Sequence, residues 1–330
     1  MGYLKLVMIS ENPLENTMWH KYLTEQGKQH DIEYTGIYSP DLMDDEKFEP
    51  NHMIDADFVF IYAANYGHKA GIKPIWKWYE LPYYAKRFID SKTKCGAIFD
   101  VEDHIESGRG YPKEWWNSVN AMDMMFTGVR VPDWSRFTDT PIVYIVEPKP
   151  MVEHIPKLKL SGNIAVLRHT PIEASAFHTI ENTILKTGKH YTYFHSGWSS
   201  APKLPVLYPS EWDDIVWNLK WEEYLKEVAK CFIAIDDNEG YYGWSRFGYE
   251  CAMMGVPVIS SDHAYSAYQF FPELRVEHKD YTTQRMLIHA LYDDPDTVYR
   301  LAIKGMENMR QHLDPDVCIE RLKAAAEIVL

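Results

Sequence analysis

Cysteine is scarce and dispersed in this chain. The 330 residues hold four, Cys95, Cys231, Cys251 and Cys318, with no CxxC pair among them. That spacing excludes a disulfide framework and a cysteine-based zinc site, and reads as buried or free thiols in a reducing compartment. Long apolar runs are missing too, since none approaches the roughly 20 residues of a membrane span. The chain opens on GYLKLVMIS, a strand-like segment without the n-region, h-region and cleavage pattern of a signal peptide. A soluble, cytoplasmic protein is the expectation. Positive charge is outweighed: 34 Lys and Arg against 48 Asp and Glu leave a formal net charge of −14. A protein that grips nucleic acid over its whole surface is thereby excluded, while a local basic cleft is not. There is no internal repeat and no low-complexity tract.

What is present is ordinary globular material, 46% hydrophobic and 25% charged, enough for sizeable cores. Short β-rich runs alternate with helical patterns, the signature of parallel sheets built from βαβ units. In the first half LKLVMIS, IEYTGIYS, DFVFIYA, CGAIFDV, MDMMFTG and TPIVYIV read as strands. Asn16 to Gln26 reads as a helix ended by Gly27, and PIWKWYELPYYAKRFI as a helix that Pro82 kinks or bounds. EPKPMVEHIPKLKLSG, with three prolines, reads as a linker. The pattern then restarts: NIAVLRH, HYTYFHS, CFIAIDD and VPVISS read as strands, and FHTIENTILKTG and EWDDIVWNLKWEEYLKEVAK as helices. Two helices, LIHALYDDPDTVYRLAIKGMENMRQHL and DVCIERLKAAAEIVL, close the chain. The soft length prior also suggests two domains. An α/β protein of two doubly wound domains follows, one over residues 1–150 and one over 151–330.

One stretch concentrates the chemistry. Residues 239–265 read EGYYGWSRFGYECAMMGVPVISSDHAY: an aromatic, glycine-bearing loop, an apolar helix ended by glycine, and a short buried strand. A helix N-terminus attracts anions such as phosphate, and Arg246 beside it adds a permanent charge. Ser245 stands at the same helix start. Glu250, one turn in, cannot serve a phosphate but can accept hydrogen bonds from sugar hydroxyls. Together they look like half of a nucleotide site. In open α/β sheets ligands bind outside the carboxyl ends of strands. The first half offers there SENPLENTMWHK, AANYGHKAGIK and the run Asp100, Glu102, Asp103 and His104; the second offers Arg168 to Thr170, and Asp236, Asp237 and Glu239.

The order of elements resembles the GT-B glycosyltransferases, which implies two Rossmann-like domains facing a cleft, the nucleotide held mainly by the C-terminal one. EGYYGWSRFGYECAMMGVPVIS is similar to the EGFG…E-A-M-A-x-G-x-P-V-I segment of the large retaining family (glycosyltransferase family 4-like), whose glutamate binds the nucleotide's ribose. By that match Glu250 is the ribose glutamate, followed by Gly255, Val256, Pro257 and Val258 as the pattern requires. The same segment occurs in sugar-nucleotide epimerases of this fold. The family places its two glutamates eight positions apart, whereas Glu239 and Glu250 are eleven apart. Glu239 and Gly240 are therefore donor-sugar candidates with the spacing against them. Arg168 takes the place of the family's diphosphate arginine, but no lysine follows it before Lys186. Ser245 and Arg246 at the helix start are the compensation.

A second resemblance is to phage DNA β-glucosyltransferases, inverting enzymes of the same fold. AANYGHKAGIK resembles their loop after the third strand, with Asn65, Tyr66, Gly71 and Lys73. IFDVEDH resembles the segment that carries their catalytic aspartate, here Asp100, or Asp103 in a shifted register. A carboxylate there would take the proton of the acceptor hydroxyl.

Duller readings exist for each residue. Glu250 could complement the helix dipole, worth roughly 0.3–1 kcal/mol; Arg246 and Arg168 could sit in ion pairs; Asp100 could be a helix cap. The tryptophans of PIWKWYELPYY and EWDDIVWNLKWEEY have helical spacing and read as core and surface cover. The Asp-Pro-Asp triplets at 294–296 and 314–316 look like metal motifs but read as helix starts, with aspartate as cap and proline at the first helical position.

The resulting expectation is a hexosyltransferase-type enzyme moving a sugar from a nucleoside diphosphate donor, a UDP- or GDP-sugar, to a hydroxyl acceptor. Arg168, Ser245, Arg246 and Glu250 bind the nucleotide. Asn16, Asn65, Lys73, Glu239 and Gly240 hold the sugar or acceptor, and Asp100 or Asp103 is the base. No metal site and no required cofactor are expected, and no membrane span. The acceptor is a glycan, a small molecule or modified DNA. Three rivals stand beside this reading: a DNA glycosyltransferase acting on hydroxymethylated bases, with Lys69, Lys73, Lys77, Lys86 and Arg87 as its basic groove; a sugar-nucleotide epimerase; and a non-catalytic nucleotide-binding module.

Overall fold

The computed structural model describes residues 2–11, 13–43, 53–63, 80–99, 113–128, 138–168, 185–189, 191–195, 214–216, 219–236, 246–261 and 264–330. In the first half, β1 (Leu4–Ser10), β2 (Ile32–Tyr38), β3 (Phe58–Ala63), β4 (Lys94–Phe99), β5 (Met124–Thr127) and β6 (Ile142–Tyr144) form one sheet. Their order is β2-β1-β3-β4-β5-β6, and every neighbouring pair is parallel. A parallel sheet is covered on both faces, so its inner strands must be apolar throughout. β3, FVFIYA, is buried at every position. On one face Ile9, Val59, Ile61, Ala97 and Met125 join Leu81 of α2 (Leu81–Ala85) and Trp115 and Val119 of α3 (Lys113–Asn120) in the core.

The alternate strand positions face the other way. There Trp19 of α1 (Met18–Gln26) meets Phe60 edge-on at 5.4 Å, and Phe60 meets Phe126 at 5.5 Å. Gly96 leaves the room these rings need, because a Cβ there would lie 2.7 Å from Phe126 Cε2. Pro82 sits in the first turn of α2 and starts that helix, so the boundary option holds and the kink does not. Residues 74–79 of the expected helix lie outside the described residues.

In the second half β7 (Ile164–Arg168), β8 (Tyr191–His195), β9 (Asp214–Val216), β10 (Ile233–Asp236) and β11 (Val258–Ser260) form a second parallel sheet, ordered β11-β10-β7-β8-β9. With it go α4 (Trp221–Val228), α5 (Arg246–Met253), α6 (Tyr265–Phe270), α7 (Tyr281–Asp293) and α8 (Pro295–Leu313). Two sequence expectations are corrected here. The single helix expected over 211–230 contains β9, because Ile215 and Val216 pair with Tyr193 and Phe194 of β8; helix begins only at Trp221. The single helix expected over 287–313 is two, because the Asp294 carboxylate accepts from Thr297 N at 3.0 Å and Pro295 opens a new helix. Asp314 does the same for α9 (Pro315–Val329), accepting from Asp316 N at 3.0 Å. Both triplets are thus helix starts.

The chain divides into two compact units, Met1–Pro150 with His312–Leu330, and Met151–Gln311. The sequence division left 312–330 with the second half, and the structure returns that tail to the first unit. The cause is the apolar face of α9, where Cys318, Ile319, Leu322, Ala325 and Ala326 are buried. Lys149 N bonds to Leu313 O at 3.1 Å. His30 lies between two tail carboxylates, 2.9 Å from Asp316 and 2.5 Å from Glu320.

Burial opposes protonation of His30, but hydrogen bonds and charge from Glu320 and Asp316 outweigh it and hold the pKa above its ordinary value. A raised histidine pKa gives stability that is fully present below the unfolded-state value near 6.5 and is lost as pH rises through the folded-state value. His30→Ala should therefore cost about 1 kcal/mol at pH 6, as exposed pairs do, and almost nothing at pH 9. Urea denaturation at the two pH values measures this; equal losses would show that the tail docks by its apolar face alone.

Candidate nucleotide site

The site is built on the helix that follows β10. Arg246 at the start of α5 is exposed, and the seven residues from Phe247 to Met253 are buried. Such a helix needs close neighbours on every side. At Gly248 a Cβ would stand 2.7 Å from Ala267 Cβ, so glycine sets how closely α5 and α6 approach. The helix ends at Gly255, whose φ of +65° is the left-handed conformation glycine takes without strain. Gly255 N bonds to Ala252 O at 3.1 Å and Val256 N to Cys251 O at 2.9 Å, the paired bonds of a Schellman terminus.

Glu250 is 3% exposed. A carboxylate so buried needs donors, and two converge on its Oε1: Trp221 Nε1 at 2.8 Å and Arg246 Nε at 2.7 Å. Trp221 opens α4, so the carboxylate ties two helices together. The Arg246 side chain is 61% exposed, which leaves the pair wet on one side. Tyr224, one turn into α4, has a buried hydroxyl that faces Glu250. Burial first, and then the charge of neighbouring Glu250, raises its pKa well above the ordinary value. Its ring packs on Phe194 of β8 at 5.3 Å.

The strand order places this helix at a defined point. β7 runs first, β8 and β9 follow on one side, and the chain returns to β10 on the other. The reversal between β7 and β10 is the topological switch point of a doubly wound sheet, outside whose carboxyl ends ligands bind. Arg168 closes β7 and Asp236 closes β10, on neighbouring strands paired through Val166 and Ile235.

Of the sequence candidates, Arg246 and Glu250 are brought together, and they hold each other. The sequence reading gave them separate ligands. Arg168 stands at the switch point, and its side chain lies outside the described residues. So do Ser245, Glu239, Gly240, Asp100, Asp103, Asn65 and Lys73. Asn16 ends a short 3-10 turn, Leu14–Asn16, in the first unit; its side chain is likewise outside. Of the basic groove, Lys69, Lys73 and Lys77 are outside, and Arg87 lies 5.1 Å over the Tyr84 ring. Lys86 is engaged, 2.9 Å from Cys95 Sγ and 3.8 Å from Asp123. Sequence reasoning missed Trp221, because helical spacing gives a tryptophan the look of cover. Among the described residues no group of three His, Cys, Asp or Glu is placed to hold a metal ion, and no helix is long and apolar enough to cross a membrane.

Trp221→Phe keeps an aromatic ring and removes one donor from a buried carboxylate. It should destabilise the protein by about 1–3 kcal/mol, whereas Arg246→Ala, which removes a side chain 61% exposed and lets water take its place beside the carboxylate, should cost under about 1 kcal/mol. Urea titration of the two variants decides; the reverse order would move the anchor of Glu250 from Trp221 to Arg246.

No protein-family model and no curated protein sequence matches this chain. Solved structures do. An alpha-glucosyltransferase in complex with UDP and a 13-mer DNA aligns over 100% of both chains, with a TM-score of 0.63 and 14% identity. Sucrose-phosphate synthase from Thermosynechococcus elongatus aligns over 99% of both, with a TM-score of 0.65 and 10% identity. TarM aligns over 81% of this chain, which spans 54% of that longer protein, with a TM-score of 0.59 and 10% identity. At such identities the likeness establishes the fold. This chain has the α/β fold of the GT-B glycosyltransferases, with two Rossmann-like units.

Proposed function

We propose that the protein is a glycosyltransferase that uses a nucleoside diphosphate sugar, with its nucleotide bound by the second unit. The observation that carries this reading is Glu250: a buried carboxylate, held by Trp221 and Arg246, on the helix after β10 at the sheet's switch point. A ribose offers hydroxyl donors to such a group, and the guanidinium of Arg246 has further N–H donors for the adjoining phosphates. Arg168, at the end of β7, and Ser245, which precedes Arg246 in sequence, are the further diphosphate groups of this reading. In the reaction an acceptor oxygen bonds to the anomeric carbon of the donor while the bond from that carbon to the diphosphate oxygen breaks. The electron pair leaves with the diphosphate, and cationic groups around it stabilise the charge that develops. UDP is the favoured nucleotide, because UDP is named with the alpha-glucosyltransferase that aligns over the full length of this chain.

That same neighbour is bound to DNA, which favours a DNA acceptor as the second reading. The engagement of Lys86 with Asp123 and Cys95 weakens it. A duplex carrying 5-hydroxymethylcytosine separates the two: a DNA acceptor requires binding that falls steeply between 50 and 200 mM salt, by about a thousandfold or more for six or more phosphate contacts.

The main reading is tested by thermal shift against UDP-glucose and GDP-mannose, with Glu250→Ala alongside. A ligand that binds only the native state adds about 2.7 kcal/mol at 100 times its dissociation constant. One nucleotide sugar should stabilise the wild type, lose its effect in the variant, and release nucleoside diphosphate when an acceptor is added. Stabilisation without turnover would make the protein a binding module; conversion of the donor sugar with no acceptor would make it an epimerase.

A further inference from the structure

The first unit gathers a thiol, an amine and a carboxylate at the end of its sheet away from any ligand position. β4 starts at Lys94 and β5 at Met124. Cys95 and Asp123 therefore lie at the amino ends of neighbouring strands, whereas ligands of such sheets bind outside the carboxyl ends. Backbone and side-chain bonds fix Asp123 on Cys95. Asp123 N donates to Cys95 O at 2.9 Å, and the carboxylate accepts from Cys95 N at 2.9 Å and from Lys94 Nζ at 3.0 Å. Lys86 opens the 3-10 turn Lys86–Phe88 that follows α2. Ile54 pins that turn: its N donates to Phe88 O at 2.7 Å, and its O accepts from Asp90 N at 3.1 Å.

The pinned turn and the strand bring two nucleophiles together. Lys86 Nζ lies 2.9 Å from Cys95 Sγ, and the Asp123 carboxylate is 3.8 Å from the same nitrogen and 3.5 Å from the same sulfur. Atoms held about 3 Å apart are already in a near-attack arrangement, which removes much of the entropic cost of joining them. Two of the other thiols meet carbonyl oxygens, which are no nucleophiles: Cys231 Sγ faces Glu227 O and Cys318 Sγ faces His312 O. Cys95 is fully buried, but the side chains of Lys86 and Asp123 are 34% and 24% exposed. The sulfur thus lies one side chain below the surface. Burial raises the pKa of the thiol and the hydrogen bond from Lys86 lowers it, with burial ahead. The thiol is therefore slow to react, and the reagent that suits it is an oxidant small enough to enter past Lys86, a peroxide.

We propose that Lys86 and Cys95 form a redox-sensitive cross-linking pair: hydrogen peroxide joins them in a covalent lysine–cysteine bridge, and thiol reductants reopen it. In the first step the Cys95 sulfur attacks peroxide. An S–O bond forms as the O–O bond breaks, and the departing hydroxide takes the thiol proton away as water, leaving a sulfenic acid. The Lys86 ammonium gives a proton to solvent, and its neutral amine then attacks the sulfenic sulfur. An S–N bond forms, the S–O bond breaks, and the hydroxyl leaves with an amine proton as a second water. The sulfur is oxidised and the peroxide reduced, each by one electron pair. Backbone nitrogen closes on sulfenic acids in the same way. The bridge ties the turn after α2 to β4 and is independent of the glycosyltransferase reading.

The test treats the intact, folded protein with hydrogen peroxide, blocks the remaining thiols after denaturation, and maps tryptic peptides by mass spectrometry. The bridged chain should be lighter than the reduced one by two hydrogens, about 2 Da. The peptide of Lys86 should be joined to that of Cys95, with cleavage after Lys86 lost, and dithiothreitol should restore both. A joined pair carrying one added oxygen, S–O–N, takes a second peroxide, releases a further water, and supports the same bridge. Lys86→Arg keeps the charge and removes the amine, so its Cys95 should stop at the sulfenic acid and be trapped by dimedone. Cys95→Ser should give neither product. Because the bridge closes a short loop, oxidised wild type should melt above its reduced form, and Lys86→Arg should show no such rise. A wild-type Cys95 that stays a free thiol under peroxide, or that takes dimedone as Lys86→Arg does and never joins Lys86, overturns the proposal. That wild-type result decides by itself, whatever the variants do to folding.

Discussion

A carboxylate taken out of water must be met by donors, and in the second unit that requirement organises everything around Glu250. Trp221 supplies one donor from α4 and Arg246 another from the first turn of α5. The first bond ties two helices together; the second holds the Arg246 side chain against Glu250. Gly248 and Gly255 serve the same end. One lets α6 lie against α5, and the other stops α5 so that β11 can return beside β10. The local sequence is thus explained by a single buried charge and the helix that carries it.

Both units obey a common rule of parallel sheets: the ligand goes where consecutive connections diverge. The divergence lies between β7 and β10 in the second unit and between β1 and β3 in the first. At the second point Arg168 closes β7 beside Asp236, which closes β10.

Much of the fold was legible in the sequence because its cause is local. A short unbroken apolar run such as FVFIYA has the length and β-branched and aromatic content of a doubly covered strand, and Asp-Pro-Asp can open a helix without help from elsewhere. The helix that carries Glu250 was legible for the same reason: a glycine stop and a buried strand follow within a dozen residues. The failures have non-local causes. β9 looked helical because its flanks are; only pairing with β8 makes Ile215 and Val216 a strand. The tail 312–330 belongs to the first unit through its apolar face and His30, partners nearly three hundred residues away. Trp221 looked like cover since its role lies in one N–H directed at a carboxylate on another helix.

The most direct measurement is a crystal structure of the protein soaked or grown with UDP-glucose, or with GDP-mannose should that be the donor that stabilises it. The ribose hydroxyls should lie within hydrogen-bond distance of Glu250, with Trp221 still donating to its Oε1 and the diphosphate beside the start of α5. A nucleotide bound elsewhere, with Glu250 engaged only by Trp221 and Arg246, would reduce that buried carboxylate to a brace between two helices.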